Sequence, residues 1–144
     1  MPSTNGNDPC DEIRIARNVG AVRCGVSLHA PVTLEELAIE FGLRSIKFDE
    51  IDSRAGHALA QKILHADLAH AKEVMSKARA TELSGEFFKL FGVKARFFTN
   101  GNFHRAVAPK NGFTWTPATS ATFDTGVLIV SDACCGCLWV EDED

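Results

Sequence analysis

Three cysteines near the C-terminus have the spacing of a metal or redox motif. Cys134, Cys135 and Cys137 contain a C-x-x-C pair. A structural zinc site needs four ligands, and the sequence offers neither a second such pair nor a suitably spaced histidine pair. A redox C-x-x-C usually opens a helix, whereas this one lies between two predicted strands. We therefore expect no metal and no cofactor, and interpret these cysteines as small buried residues at a hairpin end.

Histidines and one aspartate form two further patterns that suggest chemistry. His65 and His70 are five residues apart, which places them about 140° apart around a helix, so they cannot share a metal ion. Asp124-Thr125-Gly126 is the tripeptide of aspartic proteases, but a single copy would need a homodimer to pair two aspartates. We interpret it as a turn or bulge entering a strand. A catalytic cysteine acting with His29 or His104 stays open, because the spacing favours neither.

A basic and aromatic hairpin is predicted around Asn100-Gly101, the dipeptide preferred in two-residue hairpin turns. Alternation in residues 93–99 and 102–108 places bases and aromatic rings on one face, where rings can stack on nucleotides. The residues of this predicted face are Lys94, Arg96, Phe98, Phe103 and Arg105. A nucleic-acid-associated module is therefore one alternative function, although the chain has an acidic pI of about 5.7.

Acidic residues cluster at two places and predict a docking surface for a protein partner. The first cluster, Asp49, Glu50 and Asp52, comes just before a predicted helix. The second is a solvated acidic tail that follows an apolar segment containing Trp139, and we expect Trp115 or Trp139 to serve as an aromatic anchor beside these acids. This tail consists of Glu141, Asp142, Glu143 and Asp144.

Charge is also segregated between two adjacent segments. Residues 87–123 contain five bases and no acid, whereas residues 124–144 contain six acids and no base. Either these segments pair as neighbouring strands, or one of them presents a charged face to a partner. The second explanation favours a small regulatory protein that binds another protein, such as an immunity or inhibitor protein for a bacterial toxin. This is an analogy at the level of protein class.

Two alternatives accompany that function. One is the nucleic-acid-associated module, and the other is a small enzyme or ligand-binding domain with an unrecognised site. The sequence favours a protein that is not an enzyme, because the tested catalytic motifs fail on spacing or context and neither a glycine-rich phosphate loop nor a G-x-S-x-G elbow occurs.

Local signals predict the helices that would position these groups. Asp8-Pro9 can begin a short helix, with the aspartate as N-cap and proline in the first turn. Thr33-Leu34-Glu35-Glu36 is a capping box and predicts a second short helix. From Ser53 to about Ala80 the apolar periodicity predicts one long helix, and a further helical piece is expected over 81–91.

Strands are predicted at 22–28, 122–130 and 137–140, so helices largely precede strands and the expected fold class is α+β. We expect a helical N-terminal half, including the long helix, packed on a C-terminal antiparallel sheet of about four to five strands. Residues 1–8 are predicted to be a flexible N-terminus and residues 9–144 a single domain. The odd number of cysteines, with no export signal or membrane-spanning apolar run, predicts a cytoplasmic protein with no membrane partner.

Overall fold

The computed structural model describes residues 8–27 and 33–144, which form an α+β fold. The helices are α1 (Pro9–Ala16), α2 (Leu34–Glu40), α3 (Ser53–His65) and α4 (Lys77–Phe88), with a 3₁₀ turn at Lys89–Phe91. The strands are β1 (Ala21–Ser27), β2 (Asp49–Ile51), β3 (Arg96–Thr99), β4 (Phe123–Val130) and β5 (Cys135–Asp142). The predicted fold class is confirmed. Apart from Asp8, the N-terminus predicted to be flexible lies outside the described residues, as does His29.

The five strands form one antiparallel sheet with the order β1-β5-β4-β3-β2. The central pair, β4 and β5, is a hairpin in which Val130 lies opposite Cys135 and Phe123 lies opposite Asp142. This hairpin confirms the strand pair predicted near the C-terminus, although β5 begins and ends two residues outside its predicted bounds.

Both faces of the central hairpin are buried, because helices cover the sheet on each side. Alternate residues of β4 and β5, including Val127 and Leu138, pack against α1, α3 and α4. The intervening residues, including Leu128 and Trp139, pack against α2 and the chain around Phe48. The result is a three-layer arrangement in which apolar burial on both faces stabilises β4 and β5.

The long helix predicted over 53–80 is confirmed only in part. A helix begins at Ser53 as predicted, but it ends at His65, and a second helix that packs against it begins at Lys77. Between them the Asp67 carboxylate accepts the backbone N–H groups of His70 and Lys72, and Ala71 has a positive φ of 54°. Ser76 then caps α4 by accepting the N–H of Arg79. A straight helix of that length would extend about 42 Å, whereas two shorter helices cover one face of the sheet.

The predicted hairpin at Asn100-Gly101 is also wrong, since β3 pairs with β2 and β4 instead. Asn100 is buried, and its amide donates to the carbonyl oxygens of Thr116 and Asp124 at 2.9 and 3.0 Å. Gly101 lies so close to Thr114 and Trp115 that a Cβ atom would overlap them. Contacts with distant parts of the chain therefore fix Asn100 and Gly101, and the next strand in the chain, β4, begins only at Phe123.

A buried ion pair joins the two ends of the described chain. The guanidinium of Arg17 bonds both carboxylate oxygens of Asp142 at 3.0 and 2.7 Å, with side chains only 0% and 3% exposed. Arg17 also donates to the carbonyls of Ile63 and Val19, while Asp142 accepts the N–H of Leu68. The pair thus connects α1, the C-terminal end of α3 and the end of β5.

The prediction of a solvated acidic tail is wrong for Glu141 and Asp142, whereas Glu143 and Asp144 are exposed. Glu141 and Asp142 belong to β5, and Glu141 bonds the guanidinium of Arg23 at 2.8 Å. Glu143 accepts the hydroxyl and backbone N–H of Thr122, and Asp144 lies 3.5 Å from the ring of His70. All four acids therefore interact with their own fold.

Replacing Arg17 by Met is expected to lower the free energy of unfolding by about 3–5 kcal/mol, because it leaves Asp142 buried without a counter-charge. Urea denaturation followed by circular dichroism measures this loss. Arg79→Met is the matched control, since Arg79 pairs with Glu82 on the surface and should cost less than about 1 kcal/mol. Similar losses for the two variants would contradict the role of the buried pair.

Candidate functional site

A basic pocket of about 430 Å³ lies between α3, the first turns of α4 and the loop that follows β3. Its volume is within the range of small-ligand sites. The residues that line it are Ala58, Gln61, Lys62, His65, Lys77, Thr81, His104, Arg105 and Ala106.

The three segments that form the pocket are positioned by helical spacing and by Lys62. The four residues from α3 occupy positions i, i+3, i+4 and i+7, starting at Ala58, and therefore lie on one face of the helix. The two from α4, Lys77 and Thr81, are four positions apart. Lys62 Nζ donates to the carbonyl oxygens of Phe103 and Arg105 at 2.9 and 3.2 Å. The same ammonium lies 3.9 Å from the ring centroid of Phe113, so Lys62 fastens the loop to α3.

None of the nine lining residues is acidic, although Asp52 lies close enough to act on His104. Lys77 and Arg105 are exposed and form no ion pair with any residue in the described ranges. The first turn of α4 also lacks an acid, although the positive end of a helix dipole normally favours one. The pocket is therefore a region of positive potential.

The two histidines of the basic pocket are held differently. Nδ1 of His65 lies 2.7 Å from the carbonyl oxygen of Met75, which can only accept, so Nδ1 carries a proton. Its Nε2 has no hydrogen-bond partner among the described residues. Nδ1 of His104 is shielded from solvent and likewise lacks a partner in this part of the chain. A buried nitrogen without a partner is uncommon. Because Nδ1 of His104 is shielded, a ligand in the pocket would contact this ring through Nε2.

Burial lowers the pKa of His104 below its ordinary value, and the neighbouring charges of Arg105 and Lys62 lower it further, opposed by Asp52. Burial also lowers the pKa of Lys62. Both groups are thus held where a positive charge is disfavoured in the absence of an anion.

The basic and aromatic face predicted from the sequence is not formed. Arg96 makes two hydrogen bonds to the carboxylate of Glu50, at 3.0 and 2.8 Å. Phe98 packs partly into the core beneath α2, whereas Phe103 is buried in the opposite core. Lys94 is exposed outside the pocket, and Arg105 is the one member of the predicted set that lines it.

The acids predicted to bind a partner are mostly engaged within the fold. Asp52 caps α3 by accepting the N–H of Ala55 at 2.8 Å, Glu50 binds Arg96, and Asp49 is exposed. Trp139 is fully buried, so it is not the exposed aromatic anchor that the sequence predicted. Docking of a protein partner on Asp49 and the remaining acids stays a prediction.

The aspartic protease-like tripeptide belongs to the interior of β4. Asp124 is fully buried and accepts hydrogen bonds from the indole of Trp139 at 3.0 Å and the amide of Asn100 at 3.1 Å. It also accepts the N–H of Ala118 and both the N–H and hydroxyl of Thr119. This shell of neutral donors indicates a structural role: it ties β4 to the loop before it.

The cysteines are free thiols and offer no metal site. Cys135 and Cys137 are buried in β5, and burial raises the pKa of both. The pKa of Cys24 is raised by its hydrogen bond with Cys10 and by burial. No group of three or more His, Cys, Asp or Glu side chains within 8–27 and 33–144 is arranged to hold a metal ion.

A second cavity, of about 440 Å³, is lined by residues of α3, α4, β3 and the segment between α4 and β3, and Ser53, His57 and Lys89 are its polar side chains. His57 lines it, with its ring 4.6 Å from that of Phe88 and 5.7 Å from that of Phe97. These contacts pack the imidazole among aromatic rings, and burial lowers its pKa. The cavity lacks the concentration of polar groups found in the basic pocket.

The fold and site therefore define an α+β protein with a sheet covered on both faces and a basic pocket at one side of its helical layer. No protein-family model matches the chain, and no curated protein or solved structure shows significant similarity to it. Across the described ranges, none of the helices has the length and apolar character required to cross a membrane.

The burial of His104 predicts its behaviour in a titration. Histidine NMR resonances followed from pH 4 to 9 should give His104 a pKa below the ordinary value, because burial and the neighbouring bases disfavour the imidazolium. Inorganic phosphate should raise this pKa, since an anion stabilises the charged ring. A pKa at or above the ordinary value in phosphate-free buffer would contradict the described environment.

Proposed function

We propose that this protein binds a small anionic ligand, of the phosphate or phosphate-ester class, in the basic pocket. One observation carries the proposal: five basic or titratable side chains from three separate segments line a single pocket that contains no carboxylate. These side chains are Lys62, His65, Lys77, His104 and Arg105. Elsewhere in the fold, Arg17, Arg23 and Arg96 each have a carboxylate partner, whereas the basic pocket gathers several bases in one cavity without a lining carboxylate.

The number and type of donors favour phosphate over a carboxylate. A phosphate group carries about −1.5 to −2 charges at pH 7 and three acceptor oxygens. Arg105 offers a planar fork of N–H groups, and Lys62 has a third ammonium proton beyond the two that bond carbonyls. Thr81 and Gln61 supply neutral donors at the wall of the pocket. A carboxylate, with two oxygens and one charge, would leave several of these groups without a partner.

Protonation of His104 links ligand binding to pH. Burial and the charges of Arg105 and Lys62 lower the pKa of His104 in the free pocket, opposed by Asp52, whereas a bound anion would raise it. Binding therefore takes up a proton near the pKa of His104, and affinity for an anion of constant charge falls as the pH rises through that value.

This proposal develops the third function considered from the sequence, a ligand-binding domain with an unrecognised site. It differs from a toxin-immunity or inhibitor protein that docks through acidic residues, because Glu141 and Asp142 already pair with Arg23 and Arg17. It also differs from a nucleic-acid hairpin built on Arg96, which pairs with Glu50.

Inorganic phosphate is expected to bind the wild-type protein and to shift the amide resonances of residues 61–65, 77–81 and 104–106. Lys77→Ala and Arg105→Ala should each raise Kd about tenfold, equivalent to about 1.4 kcal/mol, because each removes one charged donor. NMR titration at low ionic strength measures both effects and limits competition from salt.

Lys94→Ala is the matched control, since Lys94 is also an exposed base without a carboxylate partner among the described residues but lies outside the pocket. Its Kd should stay within about twofold of the wild type, given the weak effect of a remote, screened charge. Equal effects of Lys94→Ala and Lys77→Ala, or shifts spread over the whole surface, would contradict a defined phosphate site.

A further inference from the structure

We propose that the basic pocket also cleaves single-stranded RNA, with His104 as general base and His65 as general acid. This inference rests on the proposed function, since it takes the bound phosphate group to be a phosphodiester of the RNA backbone. It adds a reaction and a substrate class to phosphate binding.

The two imidazoles come from different walls of one pocket. His65 lies at the C-terminal end of α3, and His104 lies on the loop that Lys62 fastens to that helix. Cleavage of a phosphodiester by an internal hydroxyl requires one group that removes a proton and another that supplies one. Two histidines separated by a phosphate-binding space can supply both functions without a carboxylate.

The hydrogen bonds of each ring suit a different role. Nδ1–H of His65 donates to the Met75 carbonyl at 2.7 Å, which orients the ring and leaves Nε2 to transfer a proton to the ligand. Nδ1 of His104 is shielded from solvent and has no partner in the described part of the chain, so a ligand in the pocket reaches this ring through Nε2, the atom that would accept the hydroxyl proton. Burial and the charges of Arg105 and Lys62 favour the neutral form of His104, which is the form that accepts a proton.

The reaction needs no redox partner and no further reactant. His104 takes the proton of the ribose 2′-hydroxyl as O2′ forms a bond to phosphorus. The bond from phosphorus to O5′ breaks, and O5′ takes the Nε2 proton of His65. The products are a 2′,3′-cyclic phosphate and a 5′-hydroxyl end, with the two histidines left in exchanged protonation states that water restores.

The cations of the pocket stabilise the charge that develops during this step. Negative charge accumulates on the non-bridging oxygens as O2′ approaches, and Lys62, Arg105 and Lys77 are placed to oppose it. The absence of an acid from the lining removes a group that would repel this charge. DNA lacks the attacking 2′-hydroxyl, so the inference predicts binding of both nucleic acids but cleavage of RNA alone.

The test uses the full chain with a fluorogenic RNA oligonucleotide, its DNA counterpart and analysis of the product ends by mass spectrometry. His104→Ala and His65→Asn should each reduce the cleavage rate about 10²–10⁴-fold. Asparagine is chosen to replace His65 because its side-chain amide can still donate to the Met75 carbonyl, which preserves the fold while removing proton transfer. The wild-type rate should show a bell-shaped dependence on pH, since one ring must be neutral and the other charged.

His70→Ala, purified in the same way, is the control for contaminating nuclease and for loss of an unrelated histidine, because His70 is an exposed residue outside the pocket. Cleavage retained in His70→Ala and lost in the two pocket variants, with 2′,3′-cyclic phosphate ends, would support the inference. RNA and phosphate that bind without cleavage would overturn it while leaving the proposed function intact. Failure to bind phosphate at all would overturn both.

Discussion

The buried pair of Arg17 and Asp142 is the interaction on which the rest of the fold depends. Desolvating two charges is costly, and the cost is offset because both carboxylate oxygens are bonded and the guanidinium also reaches two backbone carbonyls. Two of the contacts, with the carbonyl of Ile63 and the N–H of Leu68, lie on either side of His65. The pair therefore fixes the end of α3 that forms one wall of the basic pocket.

The distribution of charge separates structural from functional groups. Arg17, Arg23 and Arg96 lie beside carboxylates contributed by other strands, and these pairs hold the sheet and its helices in register. The lining of the basic pocket, by contrast, contains bases from α3, α4 and the loop after β3 but no carboxylate. The bases of the pocket repel one another, and we propose that a bound anion would relieve this repulsion and so bind more tightly.

Sequence patterns predicted those elements that local chemistry decides. The helix caps at Asp8 and Thr33 and the alternation of β1 were sufficient to locate three elements, because each signal acts within a few residues. The patterns failed at Asn100, whose amide bonds Asp124 across 24 positions, and at Asp67, which ends the predicted long helix by organising a loop. The pocket was missed for the same reason, since its residues come from three segments whose meeting is set by tertiary packing.

The central claim, that the basic pocket is a phosphate site, is tested most directly by a crystal structure grown with tungstate, whose tungsten atom gives a strong anomalous signal. The account predicts one ordered tetrahedral anion within hydrogen-bonding distance of Lys77, Arg105 and at least one of His65 and His104. An empty pocket at saturating tungstate, or an anion bound elsewhere with the pocket closed by a side-chain carboxylate, would contradict it.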